Sequence, residues 1–224
     1  MTAPTNGEHG AEGISPAEIH RRREAALGGH LGDEAAVRPF LADPSPRVRA
    51  TALWALGRLD RAGDHEVATM LDDPEAMVRR RACEMAVRHP EVDLVPLLGD
   101  HEPTVVEAAA WALGERGAAE SRTVAALAGV AGEHDDALCR EAAVAALGAI
   151  GDDAGLPAIL AAAEDKPAIR RRAVIALAPF EGDEVDVALQ RALDDRDWQV
   201  RQAAEDLLDA GVGRRSPDAL GNRE

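Results

Sequence analysis

A ten-residue pattern recurs six times along the chain, and it constrains the fold more than any other feature. Its copies begin at Val48, Val78, Val105, Cys139, Ile169 and Val200. Every copy has alanine four residues after its start, and five of the six have arginine one residue after it. The starts lie 27 to 34 residues apart. Self-similarity at a period near 30 residues is typical of repeat architectures, in which each unit buries its apolar face only against its neighbours. The pattern therefore predicts a stack of similar units.

Each unit is predicted to be a pair of helices. Apolar residues fall at the start of each copy and at positions +4, +7, +8 and +11, which form one stripe of an α-helix. A turn rich in Asp and Pro precedes each copy and is typical of a helix N-terminus. A shorter apolar segment precedes each turn, so each unit reads as helix, turn, helix. The predicted repeats are residues 31–61, 62–90, 91–117, 118–152, 153–181 and 182–211.

The composition supports an all-α fold. The apolar residues are mostly alanine, and aromatic residues make up only 2% of the chain. Alanine is the best helix former and a poor strand residue. We therefore predict a right-handed α-α superhelix, or solenoid, of about six helix pairs over residues 15–211. A capping box from Ser15 to Glu18 predicts an extra helix that ends near Leu27 and covers the first repeat. Residues 1–14 and 212–224 lack the pattern and are predicted to be flexible tails.

The fourth copy carries a family resemblance. Residues 139–151, with the sequence CREAAVAALGAIG, resemble the second helix of HEAT repeats, in the subtype first noted in phycobilisome lyases. The resemblance implies a solenoid fold. It leaves several functions open, because such repeats serve as scaffolds, adaptors, lyases of bilin or tetrapyrrole chromophores and one iron-dependent enzyme, deoxyhypusine hydroxylase. A non-catalytic scaffold or adaptor is our preferred interpretation, and a lyase-like role is the alternative.

The charge balance bears on partners and source. There are 25 Lys+Arg against 41 Asp+Glu, a net charge of −16, and Lys166 is the only lysine. Nucleic-acid binding depends on cations that neutralise phosphates, so we expect no nucleic-acid partner. An acidic, lysine-poor surface is typical of a halophilic archaeon, where carboxylates hold water and counterions. A GC-rich genome is the alternative explanation.

The sequence shows neither a secretory signal nor a membrane-spanning segment. The first residues have no secretory pattern, and no apolar run reaches the roughly 20 residues that a membrane span needs. We therefore expect a cytoplasmic protein without a membrane partner, and we expect it to be monomeric. The two cysteines, Cys83 and Cys139, are too few and too far apart for a disulfide framework or a thiolate metal site.

No catalytic, cofactor-binding or metal-binding residue is predicted. In the hydroxylase that the chain resembles, His-Glu pairs at positions +1 and +2 of second helices hold the metal. None of the six copies has histidine there. The pairs His65-Glu66 and His101-Glu102 fall at unmatched positions of their repeats. We therefore expect no metal-dependent enzyme.

A structural ladder of ion pairs is predicted between the turns and the second helices. An Asp in the turn and the Arg at position +1 recur together, and exposed pairs of this kind each contribute on the order of 0 to 1 kcal/mol. The predicted pairs are Asp43 with Arg49, Asp73 with Arg79, Asp165 with Arg170, and Asp195 with Arg201.

The candidate binding surface lies on the side of the second helices away from the buried stripe. Trp54 and Trp111 both occupy position +6, and tryptophan and arginine are enriched in binding hot spots. The neighbouring candidates are Arg58, Arg80, Glu84, Arg88, Glu107 and Glu115. Two hypotheses stay open: a concave patch that binds another protein, or indoles that merely pack over adjacent repeats. The arginine runs 79–81 and 170–172 allow an acidic or amphipathic peptide as the partner.

Overall fold

The structure, a computed structural model, is entirely α-helical over the residues that it describes, 15–117 and 119–211. These residues form twelve α-helices and three short 3-10 segments, with no β-strand among them. They divide into two compact units, the first up to Ala62 and the second from Gly63 onward. The all-α prediction is therefore confirmed. The two predicted tails, 1–14 and 212–224, lie outside the described residues.

Over residues 15–62, the first unit contains three helices around a small apolar core. They are α1 (Pro16–Leu31), α2 (Glu34–Val37), which continues as a 3-10 segment (Arg38–Ala42), and α3 (Pro46–Arg58). Helix α1 packs on α3 because Gly29 lets the two backbones approach closely. A Cβ atom at Gly29 would lie 2.6 Å from the Cβ of Ala55. The helix predicted to end near Leu27 ends four residues later, where Gly32 adopts a φ of +76°.

The predicted capping box at the start of α1 forms only in part. The Ser15 hydroxyl accepts a hydrogen bond from the Glu18 backbone N–H at 3.1 Å, as expected. The Glu18 carboxylate lies instead 3.6 Å from the guanidinium of Arg47 on α3. The acidic side chain therefore contributes to packing within the unit and not to the second half of the cap.

Over its described residues, the second unit contains nine helices, eight of which form four successive pairs. Their bounds are α4 (Asp64–Leu71), α5 (Ala76–Ala86), α6 (Pro103–Arg116), α7 (Ser121–Glu133), α8 (Ala137–Ile150), α9 (Leu156–Ala162), α10 (Pro167–Ala176), α11 (Asp183–Leu193) and α12 (Trp198–Asp209). The second helices stack in sequence order, α5 on α6, α6 on α8, α8 on α10 and α10 on α12. The first helices α4, α7 and α11 pack on the second helices of their own repeats.

One predicted helix is much shorter than expected. The apolar segment 92–98, which precedes the turn of the predicted repeat 91–117 and is predicted to be its first helix, forms only a 3-10 segment, Val95–Gly99. Pro96 has no N–H to donate, and it disfavours helical geometry at Val95 before it. The Asp93 carboxylate accepts a hydrogen bond from the Val95 N–H at 3.0 Å, which stabilises a turn in place of a helix.

The first two positions of the predicted stripe, the start and +4, are buried in all six copies, whereas position +11 is fully buried in only one of them. The residues at the six start positions are at most 1% exposed, and the alanines at +4 are fully buried. Alanine has no side chain beyond Cβ, so neighbouring second helices come close together. A Cβ atom at Gly148 of α8 would lie 2.7 Å from Cα of Ala176 on α10. The stack is therefore set by small residues in direct backbone contact.

The ion-pair ladder exists, but its register differs from the prediction. Arg170 donates from Nη1 to the backbone carbonyl of Asp165 in its own turn at 2.9 Å. Its ion pair is with Asp195, the turn residue of the following repeat, at 2.7 Å. Arg140 likewise pairs with Asp165 of the following repeat at 2.7 Å. The predicted pairs of Asp73 with Arg79, Asp165 with Arg170 and Asp195 with Arg201 are therefore wrong as carboxylate pairs, because each arginine bonds the backbone carbonyl of that aspartate. The guanidinium has five donors, so one arginine serves its own turn and the next.

The ladder stabilises the charged forms of its arginines and aspartates. The hydrogen bond from Arg170 lowers the pKa of Asp195, and that from Arg140 lowers the pKa of Asp165, in each case against the opposing effect of partial burial. Arg79 and Asp100 repeat the arrangement with both side chains almost fully buried and 2.7 Å apart. In the second unit, the ladder thus joins a turn to the next one wherever the arginine at position +1 and the aspartate of the following turn are both present.

Among the described residues of the second unit, one junction lacks this ion pair. Val106 stands at position +1 of α6, where the other second helices have arginine. His134 stands in the turn of the next repeat, where the others have aspartate, and its Nδ1 accepts a hydrogen bond from the Asp136 N–H at 3.0 Å. Asp100 accepts the equivalent bond from the Glu102 N–H at 2.9 Å. The two exceptions occupy the positions that Arg79 and Asp100 hold at the preceding junction.

Candidate protein-binding surface

The predicted tryptophans are both exposed on their second helices. Trp54 of α3 is 37% exposed and Trp111 of α6 is 46% exposed. Helical geometry places position +6 well off the stripe formed by the start and +4, which explains their exposure. The two belong to different compact units, so each is described within its own unit. Their membership of one common patch stays a prediction.

In the first unit, Trp54 already has a cation on its ring. The guanidinium carbon of Arg58, four residues further along α3, lies 4.8 Å from the ring centroid. A spacing of four residues places two side chains on the same helical face. Arg58 therefore occupies one face of this indole through a cation–π contact.

In the second unit, the arginines of α5 contact a nearby glutamate. Arg80 and Arg81 both pair with Glu84, with Nε of Arg80 at 3.3 Å from the carboxylate. Arg79, the first residue of the predicted arginine run, belongs to the ladder. Arg88 is exposed near the end of the helix. The run 79–81 is thus divided among internal partners.

Trp111 lines a groove between the second helices α6 and α8. The groove has a volume of about 480 Å³. Helix α6 contributes Glu107, Trp111, Gly114 and Glu115 to it. Its other side consists of Leu138, Glu141 and four alanines of α8, and Arg172 of α10 also lines it. Leu138 is 60% exposed, so an indole and a leucine side chain are both accessible in one groove.

The alanines of α8 keep the groove open. Ala142, Ala145 and Ala149 present only methyl groups toward it. Gly114 of α6 allows close approach, because a Cβ atom there would lie 2.8 Å from Cα of Ala146. The two helices therefore touch along their buried sides, while the shallow surface beside Trp111 stays unfilled.

The groove has an acidic rim. Glu107 and Glu115 lie four residues before and after Trp111, and both are exposed. Glu141 lies on α8 and is 3.3 Å from Arg172, the nearest basic residue of the groove. Three carboxylates against one guanidinium give the lining a negative balance.

An arginine that sequence reasoning missed fixes α6 to the preceding repeat. Arg116 donates to the backbone carbonyls of Ala86, His89 and Val92 at 2.7 to 3.0 Å. Ala86 is the last residue of α5, where helical carbonyls lack intrahelical partners, and His89 and Val92 lie just beyond it. Burial lowers the pKa of Arg116. The contact holds the end of the helix that carries Trp111 and Glu115.

Leu138, Glu141 and Arg172 were also missed as site residues. The available signal was Leu138 itself, an apolar residue one position before the start of its copy and off the buried stripe. Met77 occupies the same position on α5 and is 44% exposed. An apolar residue at this position therefore marks accessible surface in two repeats.

A second, larger groove lies between the last two repeats. Its volume is about 700 Å³, and it is lined by parts of α9, α10, α11 and α12. The ladder pair Arg170 and Asp195 forms part of its wall, and Arg191 pairs with Glu164 across it at 2.7 Å. Val187 is its most exposed apolar residue. Without an exposed aromatic residue, this groove is the weaker candidate for binding.

The cysteines have the environment of buried apolar residues. Burial raises the pKa of Cys83 to about 12 and that of Cys139 to about 11. The Cys139 thiol donates to the backbone carbonyl of Pro103 at 3.3 Å. A nucleophilic cysteine needs a lowered pKa and exposure, so neither residue has the chemistry of an active-site thiolate.

Residues 15–117 and 119–211 contain no cluster of three or more His, Cys, Asp or Glu side chains arranged to hold a metal ion. None of the described helices is long and apolar enough to cross a membrane.

The fold and surface define an α-helical repeat protein, built from helix pairs stacked in sequence order. Family models with the description "HEAT repeats" match residues 65–148 and 133–209, and a further "HEAT repeat" model matches residues 36–61. Together these matches cover more than half of the chain. The chain belongs to the HEAT-repeat family.

Several solved structures are similar to this chain. Escherichia coli YibA is similar with a TM-score of 0.60 and 16% identity, over 89% of this chain and 77% of that one. Human deoxyhypusine hydroxylase in complex with glycerol is similar with a TM-score of 0.46 and 22% identity, over 85% of this chain and 78% of that one. A designed armadillo repeat protein has a TM-score of 0.45 and 15% identity, over 89% and 95% of the respective chains. No curated protein matches the sequence.

Proposed function

We propose that the chain is a non-catalytic interaction module that binds a segment of another protein in the groove beside Trp111. One observation carries the proposal: a half-exposed tryptophan lines an alanine-floored groove in a chain that has only three tryptophans. Buried tryptophans at the centre of interfaces are frequent hot spots. An extended or helical segment that covers Trp111 and Leu138 would remove both from water.

The physical basis is apolar burial with a polar rim. Burying accessible apolar surface contributes roughly 25 cal/mol per Å². The carboxylates of Glu107 and Glu115 stay at the edge of the groove, where a polar rim is typical of protein interfaces. Gly114 and Arg116 hold α6 against its neighbours, so the groove is formed before a partner arrives. A preformed groove loses less conformational entropy on binding.

A peptide selection on the full chain tests this function. Random dodecapeptides displayed on phage are selected on the immobilised protein, and the affinities of the selected peptides are then measured by fluorescence polarisation. We expect Trp111→Ala to weaken binding about tenfold or more, as for a hot-spot residue. Trp198→Ala is the matched control, because Trp198 is 65% exposed and does not line the groove.

The outcomes separate the alternatives. Equal affinity of the wild-type chain and Trp111→Ala for every selected peptide would overturn the proposed site. Failure to select any peptide would also count against it. A stoichiometric visible absorption band in protein purified from its native source would favour the lyase-like alternative, in which a tetrapyrrole is handled.

A further inference from the structure

We infer that Trp111, Glu107 and Glu115 form a receptor for one cationic side chain, arginine or lysine, of the bound segment. This inference rests on the proposed function and specifies the chemistry of its partner. It is carried by a comparison between the two tryptophans that share position +6.

The chain itself shows what its tryptophans bind at this position. Trp54 has arginine four residues later, and that Arg58 guanidinium lies 4.8 Å from the ring centroid. Trp111 has Glu115 four residues later. Among the described residues, no arginine or lysine lies over the ring of Trp111. The same helical position thus carries a cation from the chain in the first unit and a carboxylate in the second.

The carboxylates around Trp111 complete a site for a positive charge. Glu107 and Glu115 lie on the same face of α6 as the indole, because a spacing of four residues is about one helical turn. Neither carboxylate forms an ion pair with a described residue, whereas Glu141 across the groove pairs with Arg172. A cation over the ring would gain the cation–π attraction and the field of two carboxylates.

The apolar part of the groove indicates what accompanies the cation. Leu138 and the alanines of α8 lie beside the indole. Arginine and lysine side chains have apolar stems that pack on such surfaces while the charged group stays at the rim. The occupant is therefore an amphipathic segment with a basic residue next to an apolar one. An acidic segment would place its carboxylates against Glu107 and Glu115.

The peptides selected on the full chain provide the probe. In each Trp111-dependent peptide, arginine is replaced by citrulline, which keeps the shape and removes the charge, or lysine by acetyl-lysine. We expect this change to weaken binding to the wild-type chain about 3- to 30-fold, the range of a cation–π contact. On Trp111→Ala the same change should have little further effect.

A variant of the chain tests the same point from the other side. Glu115→Arg reproduces the spacing of Trp54 and Arg58, so we expect the new guanidinium to cover Trp111 and to weaken the basic peptides by a similar factor. Glu115→Gln is the matched control and should weaken them less. Glu115 is exposed, and circular dichroism verifies that both variants fold.

The two proposals fail in different ways. Trp111-dependent peptides without a basic residue, or without sensitivity to citrulline or acetyl-lysine, would overturn the cation receptor and leave the proposed function standing. Selected peptides that are basic but bind Trp111→Ala with unchanged affinity would overturn both.

Discussion

Replacing Gly148 by alanine tests how closely the second helices of this stack are packed. A methyl group at Gly148 would lie 2.6 Å from Cβ and 2.7 Å from Cα of Ala176, and 3.0 Å from its carbonyl oxygen. Side-chain motion cannot relieve contacts to Cα and a carbonyl, so α8 and α10 must separate. Overpacking of this kind costs about 1–3 kcal/mol. Alanine in place of glycine inside a helix returns about 1 kcal/mol.

Gly129→Ala on α7 is the matched control. Gly129 lies inside a helix like Gly148, but a Cβ atom there would meet nothing within 4 Å. This variant should therefore gain about 1 kcal/mol of stability from helix propensity alone. We expect Gly148→Ala to be less stable than Gly129→Ala by about 1–3 kcal/mol, which is the cost of the clash itself.

Urea unfolding followed by circular dichroism at one salt concentration measures this difference. The midpoints of the two variants are compared with that of the wild-type chain, because a shift in midpoint at constant slope reports stability. Hydrogen exchange adds a local measurement, in which α8 and α10 lose protection in Gly148→Ala. If Gly148→Ala raised the midpoint as much as Gly129→Ala, the close packing of α8 on α10 would be refuted.

Four further predictions follow from the ladder, the thiols and the charge. Val106→Arg combined with His134→Asp should complete the ladder, with a favourable coupling of about 0.5–3 kcal/mol in a double-mutant cycle of unfolding free energies; strict additivity would contradict it. The pKa of Asp195 is lowered in the folded chain, so its contribution to the free energy of unfolding is present at neutral pH and is lost as the pH falls through that lowered value. In acid titrations, Asp195→Asn should therefore lose less stability than the wild-type chain below about pH 4. Parallel stability curves of the two chains would contradict this. Cys83 and Cys139 should resist maleimide at about pH 8 until urea unfolds the chain, and rapid labelling of the folded protein would refute their burial. If the acidic composition reflects a halophilic source, the melting temperature should rise with KCl concentration, and a constant value would count against that source.

The sequence predicted the helix pairs well because the repeat itself encodes them. Alanine at position +4 and an apolar start recur in six copies, and each of these residues is buried. Agreement among copies replaces the long-range information that a single helix pattern lacks. The helix predicted for the segment 92–98 was wrong for a local reason, because Pro96 disfavours helical geometry in spite of the apolar pattern.

The ladder shows what a one-dimensional pattern cannot specify. The repeat identified Arg170 and Asp195 as ladder residues, but it did not determine which arginine meets which aspartate. Asp165 is near Arg170 in sequence, but only its backbone carbonyl accepts a hydrogen bond from Arg170. The Asp165 carboxylate pairs with Arg140 instead. The pairing depends on how successive turns stack, and that is a tertiary property.

The candidate site was predictable only on one side. Helical spacing identified Trp111 and Glu115 as exposed neighbours, since both lie on a single helix. The other wall, with Leu138 and Glu141, comes from the next repeat, and its distance from Trp111 depends on the close approach of Gly114 to Ala146. Sequence reasoning therefore found an exposed indole, and the structure added the groove.

The missing ladder pair between α6 and α8 has a consequence for the groove at the same junction. Val106 and His134 replace the arginine and aspartate that join other repeats, so this junction depends on apolar packing, including that of Gly114 on Ala146. As the pH falls through the lowered pKa values of the ladder carboxylates, their protonation removes ion pairs at neighbouring junctions, but this junction has no Arg–Asp pair to lose. Protonation of the ladder carboxylates should therefore leave the distance between Trp111 and Leu138 unchanged. The binding groove should keep its width at an acidic pH at which the neighbouring junctions begin to loosen.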